Sequence, residues 1–288
     1  MTSTRRGFAL TELLVAMVVA GIIGVALTRL VINQARFVSM QDAGMRARGA
    51  ARAALNVLTS ELQMTSGGGL VDATRDSITV RVPYAFGLAC RKVSGSTIVA
   101  LFPADSATFA SAVPSGFAFQ DSVGAYHVQD GAAVSPASAV AVAAACLILL
   151  PPINLTALTA PGWSILRGVA LANATSDTAA IGAVAYVYQN VRYAFAPSVE
   201  LPGRTALWRT VLSTGVREEL VVPFDTSAGF RFLVGPSFAV RATPPAALDS
   251  VVGLQIGLVA QSEAAAQGTT RPTTFDLTTS ITFRNNAP

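Results

Sequence analysis

The chain has 288 residues, of which 52% are hydrophobic and only 12% are charged. This charged share is about half of what soluble proteins usually contain. The formal net charge is +4, but the arginines are scattered and no aromatic residues alternate with them. The composition therefore does not indicate a nucleic-acid-binding protein.

The chain begins with a short basic segment followed by a long apolar run. Arg5 and Arg6 precede the run, which extends from Phe8 to Leu27 with a single acid, Glu12. A helix of about 20 residues spans about 30 Å, which matches the hydrocarbon core of a bilayer. A secretory signal peptide and a plain transmembrane anchor both fit this length. Neither explains the acid, because an ionised carboxylate within a membrane helix costs at least about 2.5 kcal/mol.

A third hypothesis rests on the order of the residues around the acid. The basic leader ends in Gly7, the aromatic Phe8 follows, and Glu12 lies close to the start of the apolar run. This arrangement resembles the class III signal of type IV prepilins. The resemblance implies that a prepilin peptidase in the inner membrane cleaves after Gly7 and N-methylates Phe8. It also implies that Glu12, then the fifth mature residue, is the assembly glutamate.

The resemblance gives Glu12 a partner. In this family the glutamate of one subunit faces the N-terminal amine of its neighbour, so that two charges that are costly alone offset each other. The alternative is that Glu12 snorkels to the nearby membrane interface. In either case Arg5 and Arg6 keep the N-terminus cytoplasmic, and the rest of the chain is expected outside the cytoplasm.

Two glycines, Gly21 and Gly24, lie where many members of the family have a proline that kinks the helix. Because glycine weakens a helix by about 1 kcal/mol relative to alanine, the pair could permit local unwinding during assembly. It could instead form a small-residue face that packs against another helix. We favour the packing face.

The helical pattern continues beyond the membrane. Apolar residues recur at intervals of three, four and seven from Leu30 to Leu62, with polar residues such as Glu61 between them. No proline occurs from residue 8 to residue 64. The pattern predicts one helix of about 85 Å that ends at Ser66 and the three glycines after it. We expect the apolar stripe of its outer half to cover a folded body.

From residue 70 onward the pattern is typical of β-strands separated by Gly, Pro, Ser and Asp clusters. The predicted strands are Ser77–Val82, Ser96–Leu101, Leu147–Leu150, Trp163–Leu166, Val184–Phe195, Ala206–Leu212, Val216–Val222, Phe230–Val234, Val251–Gln261 and Phe275–Phe283. The predicted fold is therefore α+β and pilin-like. A long N-terminal helix, apolar and then amphipathic, packs on a mainly antiparallel β-sheet body.

The sequence divides into four predicted segments. They are a leader (1–7), a transmembrane and assembly helix (8–32), its amphipathic extension (33–66) and an extracytoplasmic β-rich body (67–288). Within the body, the Ala/Ser-rich residues 103–146 are predicted to be an irregular insertion. The run Ala137–Leu150 has no charge but is too short to cross a bilayer, so we interpret it as a buried helix–strand piece.

Few residues in the body suggest chemistry. Cys90 and Cys146 are compatible with one disulfide in an oxidising compartment and equally with two buried free thiols. The only histidine, His127, lies in a polar loop and is expected to be solvated. The sequence has no recognised catalytic, phosphate-binding or metal motif. We therefore predict no enzymatic activity, no cofactor and no small-molecule substrate.

A second, looser resemblance involves the body. An ordered series of short motifs from Tyr186 to Phe232 is similar to the β domain of PilW-type minor pilins and J-class pseudopilins of type II secretion. This implies a structural subunit that assembles with other pilin or pseudopilin subunits into a type IV pilus or a pseudopilus. The alternative is a membrane-anchored extracytoplasmic adhesin or ligand-binding protein that uses the same signal.

Overall fold

The computed structural model describes residues 10–66, 68–93, 95–131, 133–146, 168–172 and 181–283. Its α-helices are α1 (Leu10–Leu62), α2 (Pro103–Ser111) and α3 (Ala139–Cys146). Its strands are β1 (Leu70–Ala73), β2 (Ser77–Val93), β3 (Ser96–Leu101), β4 (Gly116–Gln120), β5 (Tyr126–Asp130), β6 (Val134–Ala137), β7 (Gly168–Ala172), β8 (Val184–Pro197), β9 (Thr205–Val211), β10 (Val216–Phe224), β11 (Gly229–Val234), β12 (Ala239–Arg241), β13 (Val251–Ala265) and β14 (Pro272–Thr282).

The long N-terminal helix is continuous over 53 described residues, and it ends at Leu62 rather than at Ser66. After Leu62 the chain forms two tight turn bonds, from Met64 N to Glu61 O and from Thr65 N to Leu62 O, both 3.2 Å long. Such bonds commonly close the last turn of a helix. The Oγ of Ser66 then forms a 2.6 Å hydrogen bond with the hydroxyl of Tyr186, which fixes the chain as it leaves α1.

The fourteen described strands form one sheet, and their pairings are antiparallel. The main path through the sheet is β12-β11-β13-β10-β9-β8-β2-β3-β7-β6, with β14 paired to β13 and β1 paired to β2. Strands β4 and β5 form a hairpin attached to β8. The predicted architecture, a long helix with a mainly antiparallel sheet, is confirmed.

Strand β2 is longer than the sequence predicts. It continues from Val82, its predicted end, to Val93, and it pairs with β8 and β3 along this extension. Pro83 makes the segment resemble a strand end. In the structure, the register between β2 and β8 shifts between Pro83 and Ala85. Proline is tolerated within a sheet at such a bulge, so the strand passes through it.

Residues 103–146 are not an irregular insertion where the structure describes them. They contain α2, β4, β5, β6 and α3. Phe117 and Phe119 of β4 are fully buried and contribute to a second hydrophobic cluster, which explains why the segment is ordered. The predicted strands Leu147–Leu150 and Trp163–Leu166 lie outside the described residues.

The main hydrophobic core lies between the outer half of α1 and the sheet. The helix contributes a buried stripe at intervals of three and four: Ala43, Ala47, Ala51, Ala54, Leu58 and Leu62. Large side chains of β8, β11 and β13 pack against it, including Tyr193, Phe230 and Leu254. Because alanines dominate the stripe, the helix backbone approaches the sheet closely.

Candidate assembly surface

Helix α1 has an exposed part and a buried part. Every residue from Leu10 to Val38 is exposed, including large apolar side chains such as Ile22. Among the described helices, α1 is long and apolar enough to cross a membrane, with a mean hydropathy of 2.4 in an 18-residue window. An apolar surface of this extent is not stable in water, so it requires lipid or another protein around it.

Glu12 lies on the exposed part, beside a shallow and mostly apolar groove. The groove is lined by Thr11, Glu12, Val15, Ala16, Val19, Ala20 and Ile23. Their spacing of three and four residues places them on one face of the helix. A carboxylate on such a face favours a cationic partner once the helix is in lipid, because its ionised form is costly there.

Gly21 and Gly24 do not interrupt α1, which is regular through both positions. A Cβ atom added to either glycine would meet no atom within 4 Å. No contact among the described residues therefore explains why glycine occupies these positions. Small residues allow membrane helices to approach each other closely, so the geometry favours a packing face over local unwinding.

The structure describes only one of the three residues predicted to serve processing and assembly. Gly7 and Phe8 lie outside the described residues. Glu12 is described, in the first turns of α1. The roles of all three residues therefore remain predictions.

A polar cluster attaches the last turn of α1 to the sheet. The sequence analysis did not predict it. Glu61 accepts a hydrogen bond from the hydroxyl of Tyr193 and pairs with the guanidinium of Arg209, whose Nε lies 3.2 Å from Oε1. Burial and then the neighbouring carboxylate raise the pKa of Tyr193, so this phenol stays protonated and donates. The only local feature of the sequence that could have predicted this contact is the position of Glu61. It follows Leu58 by three residues and therefore lies on the buried face of the helix.

The β13–β14 hairpin supplies a second attachment to α1, nearer the N-terminus of the helix. The backbone N–H of Gln267 donates a 3.0 Å hydrogen bond to Oγ of Ser39. At Gly268, where φ is +85°, an added Cβ would lie 3.0 Å from Nε of Arg36. Both the positive φ and the close approach of the arginine favour glycine in this turn.

Cys90 in β2 and Cys146 at the end of α3 form a disulfide with Cα atoms 4.8 Å apart. Both side chains are buried, together with Ile98 and Val142. The bond attaches α3 to the sheet across 56 positions of sequence. Lasting structural disulfides are typical of proteins outside the cytoplasm.

His127 and Asp121 form a local structural contact. Nε2 of His127 lies 2.8 Å from a carboxylate oxygen of Asp121, and the imidazole stacks on Phe119 with ring centroids 5.4 Å apart. Hydrogen bonding to His127 lowers the pKa of Asp121, and burial opposes this shift. Among the described residues, no group of three or more His, Cys, Asp or Glu side chains is arranged to hold a metal ion.

The N-terminal segment is similar to a known family motif. Residues 2–28 match the prokaryotic N-terminal methylation motif, the prepilin-type signal. This supports a pilin-like or pseudopilin role in general. No curated protein and no solved structure matches the chain.

Proposed function

We propose that this protein is a structural subunit of a pilin-type filament, either a PilW-type minor pilin or a J-class pseudopilin. The observation that carries the proposal is the continuity between the signal and the fold. A prepilin-type signal at residues 2–28 leads into a helix that is exposed from Leu10 to Val38 and anchored in a β-sheet body from Ala43 onward. Such a subunit acts by assembly rather than by turnover.

Processing prepares the helix for assembly. A prepilin peptidase cleaves between Gly7 and Phe8 and N-methylates Phe8, which leaves a cationic amine at the apolar end of α1. Glu12 of one subunit pairs with this amine on a neighbouring subunit. Because an unpaired charge is costly in lipid while a paired one is much less so, this contact sets the axial register of the filament.

Before assembly, the protein crosses the inner membrane once, with its N-terminus cytoplasmic. The leader (1–7) is removed, residues 8–32 lie in the bilayer, residues 33–66 extend the helix outward, and the body (67–288) folds outside the cytoplasm. Arg5 and Arg6 support this orientation through the positive-inside rule. The Cys90–Cys146 disulfide supports it independently, because the cytoplasm keeps most thiols reduced.

The size of the chain supports a minor subunit. Its 288 residues exceed the usual length of a major pilin, and the described strands form a fourteen-stranded sheet. Assembled filaments hold such a subunit at low copy number, in a type IV pilus or in a type II secretion pseudopilus.

Two experiments test the proposal, one on processing and one on assembly. Mass spectrometry of the protein purified from its natural membrane should find a mature chain that begins with N-methylated Phe8. Glu12→Val should still be cleaved but should be lost from sheared filaments. Thr11→Val is the matched control, because it changes the adjacent position without removing the charge.

Two results would overturn the proposal. One is a native protein that still begins at Met1. The other is a Glu12→Val variant that enters filaments as well as the Thr11→Val control, which is the behaviour expected of a tethered adhesin or ligand-binding protein.

A further inference from the structure

One side of β14 is open. The other side pairs with β13 along the strand, and the N–H of Phe283 donates to the carbonyl of Val252 at 3.0 Å. This bond fixes which residues direct their backbone groups toward β13, because the direction alternates along an antiparallel strand. The residues whose backbone groups point toward β13 are Phe275, Leu277, Thr279 and Ile281. The N–H and C=O groups that point away from β13 belong to Thr274, Asp276, Thr278, Ser280 and Thr282.

These outward groups have no hydrogen-bond partner among the described residues. The side chains of the same five residues are exposed. They are neutral hydroxyl side chains except for one aspartate, Asp276. The open edge of β14 therefore presents unpaired backbone donors and acceptors without the lysine or arginine side chains that usually discourage pairing.

The other described edges of the sheet are short, interrupted or charged. Strand β10 pairs with β13 only at Phe224, and the open part of this strand carries Arg217, Glu218 and Glu219. Strand β12 has three residues, β1 has four, and β5 has five. Strand β6 has four residues and contains Pro136, which has no N–H to donate. In contrast, β14 has eleven residues, and its only proline, Pro272, is at the first position. Proteins commonly limit edge pairing by short strands and prolines, and β14 uses neither device along its length.

The open edge also lies next to the proposed assembly helix. Phe275 and Leu277 of β14 pack against the core that contains the buried stripe of α1. The guanidinium of Arg48 in α1 lies 5.6 Å from the centroid of the Phe275 ring. A neighbouring subunit that packs along α1 would therefore arrive beside β14.

We propose that the open edge of β14 accepts an extended segment of a neighbouring subunit by β-strand addition. This inference rests on the proposed function, which supplies the neighbour. The backbone hydrogen bonds provide affinity, and the row of Thr and Ser side chains selects a neutral segment with small or polar residues on the same face. The helix then sets the axial register, and the added strand fixes the rotation of one body against the next.

The test uses the full chain in the cells that produce it. Thr278→Pro removes one outward N–H without removing a bond to β13, so an edge strand tolerates it. Thr278→Ala keeps the N–H and is the matched control. We expect Thr278→Pro to lower the ratio of filament-bound to membrane-bound subunit roughly tenfold relative to Thr278→Ala. Equal ratios for the two variants would overturn the inference.

A second measurement keeps the inference testable if the proline variant does not fold. A photoreactive amino acid at position 278 should cross-link to another subunit with a prepilin-type signal, whereas the same probe at the exposed Val123, between β4 and β5, should not. Cross-links from position 278 only to unrelated proteins, or none, would overturn the inference.

The Glu12→Val variant distinguishes the two proposals. If it enters filaments normally, the proposed function fails. If it is excluded while Thr278→Pro enters normally, only the strand-addition inference fails.

Discussion

Two tyrosines, Tyr193 and Tyr84, differ in what their hydroxyl groups contact. The hydroxyl of Tyr193 donates to Glu61, and its side chain is fully buried. The hydroxyl of Tyr84 is buried but has no hydrogen-bond partner among the described residues, and burial raises the pKa of Tyr84 to about 12. A buried hydroxyl stabilises the fold when it is satisfied and costs free energy when it is not.

Replacing each tyrosine by phenylalanine should therefore lower stability only at Tyr193. Tyr193→Phe removes a hydrogen bond to a carboxylate and should lower the free energy of unfolding by about 2 kcal/mol. Tyr84→Phe removes an unsatisfied hydroxyl and should leave it unchanged or raise it by about 1 kcal/mol. Urea titration of both variants in the same detergent measures the difference. Equal losses of stability would show that the two hydroxyls have similar surroundings.

Asp130 is expected to make the free energy of unfolding depend on pH in the acid range. Its carboxylate accepts hydrogen bonds from the guanidinium of Arg81 and from the hydroxyl of Tyr188. The bond from Arg81, opposed by partial burial, lowers the pKa of Asp130 below its ordinary value of 3.8. A group whose pKa falls on folding stabilises the native state above the unfolded pKa, and this contribution is lost as the pH falls through the folded pKa.

The Asp130→Asn variant should therefore lose stability less steeply than the native protein as the pH falls below about 4. Unfolding midpoints of the two proteins should approach each other as the pH falls, because protonation of the native carboxylate removes its contribution to stability. Asp276→Asn, which removes an exposed carboxylate of β14, controls for the change in net charge. A parallel pH dependence in native protein and Asp130→Asn would contradict the assignment.

At the scale of elements, the alanines of α1 determine how closely the helix approaches the sheet. Ala51 is fully buried against the core, whereas Ala53 is exposed on the opposite side of the same turn. Ala51→Leu should lower the free energy of unfolding by about 1–3 kcal/mol, because the core must expand to hold three extra carbons. Ala53→Leu should change it by less than about 0.5 kcal/mol. Denaturant titration of the pair tests this, and a tolerated Ala51→Leu would mean that the helix is loosely packed.

The elements that the sequence predicts well are those with a clear pattern of burial. Strand β14 alternates between exposed and partly buried residues, and its predicted bounds, Phe275–Phe283, nearly match. Strand β4 is buried on both faces, so Gly116–Gln120 shows no alternation and the prediction misses it. The contact between Glu61 and Arg209 joins residues 148 positions apart, and no local pattern encodes it.

At the scale of the whole molecule, the two parts of α1 have separate environments. The buried stripe begins at Ala43, and nearer the N-terminus the helix meets the body at the end of β13 and at the β13–β14 turn. The exposed part contributes no residue to the main core cluster. The stability of the body should therefore depend on the outer half of the helix and be independent of the part that enters the membrane.

Two truncated chains test this division. A chain of residues 33–288 keeps the buried stripe, so it should remain soluble without detergent and unfold at the same urea concentration as the full chain. A chain of residues 63–288 loses Leu58 and Leu62, which are fully buried, along with the four buried alanines. Each leucine alone is worth about 2–5 kcal/mol, and the sum approaches the typical total stability of about 5–15 kcal/mol. The shorter chain should therefore aggregate or be digested rapidly by protease. If it proved as stable as the longer chain, α1 would be a tether attached to a complete body rather than a part of its core.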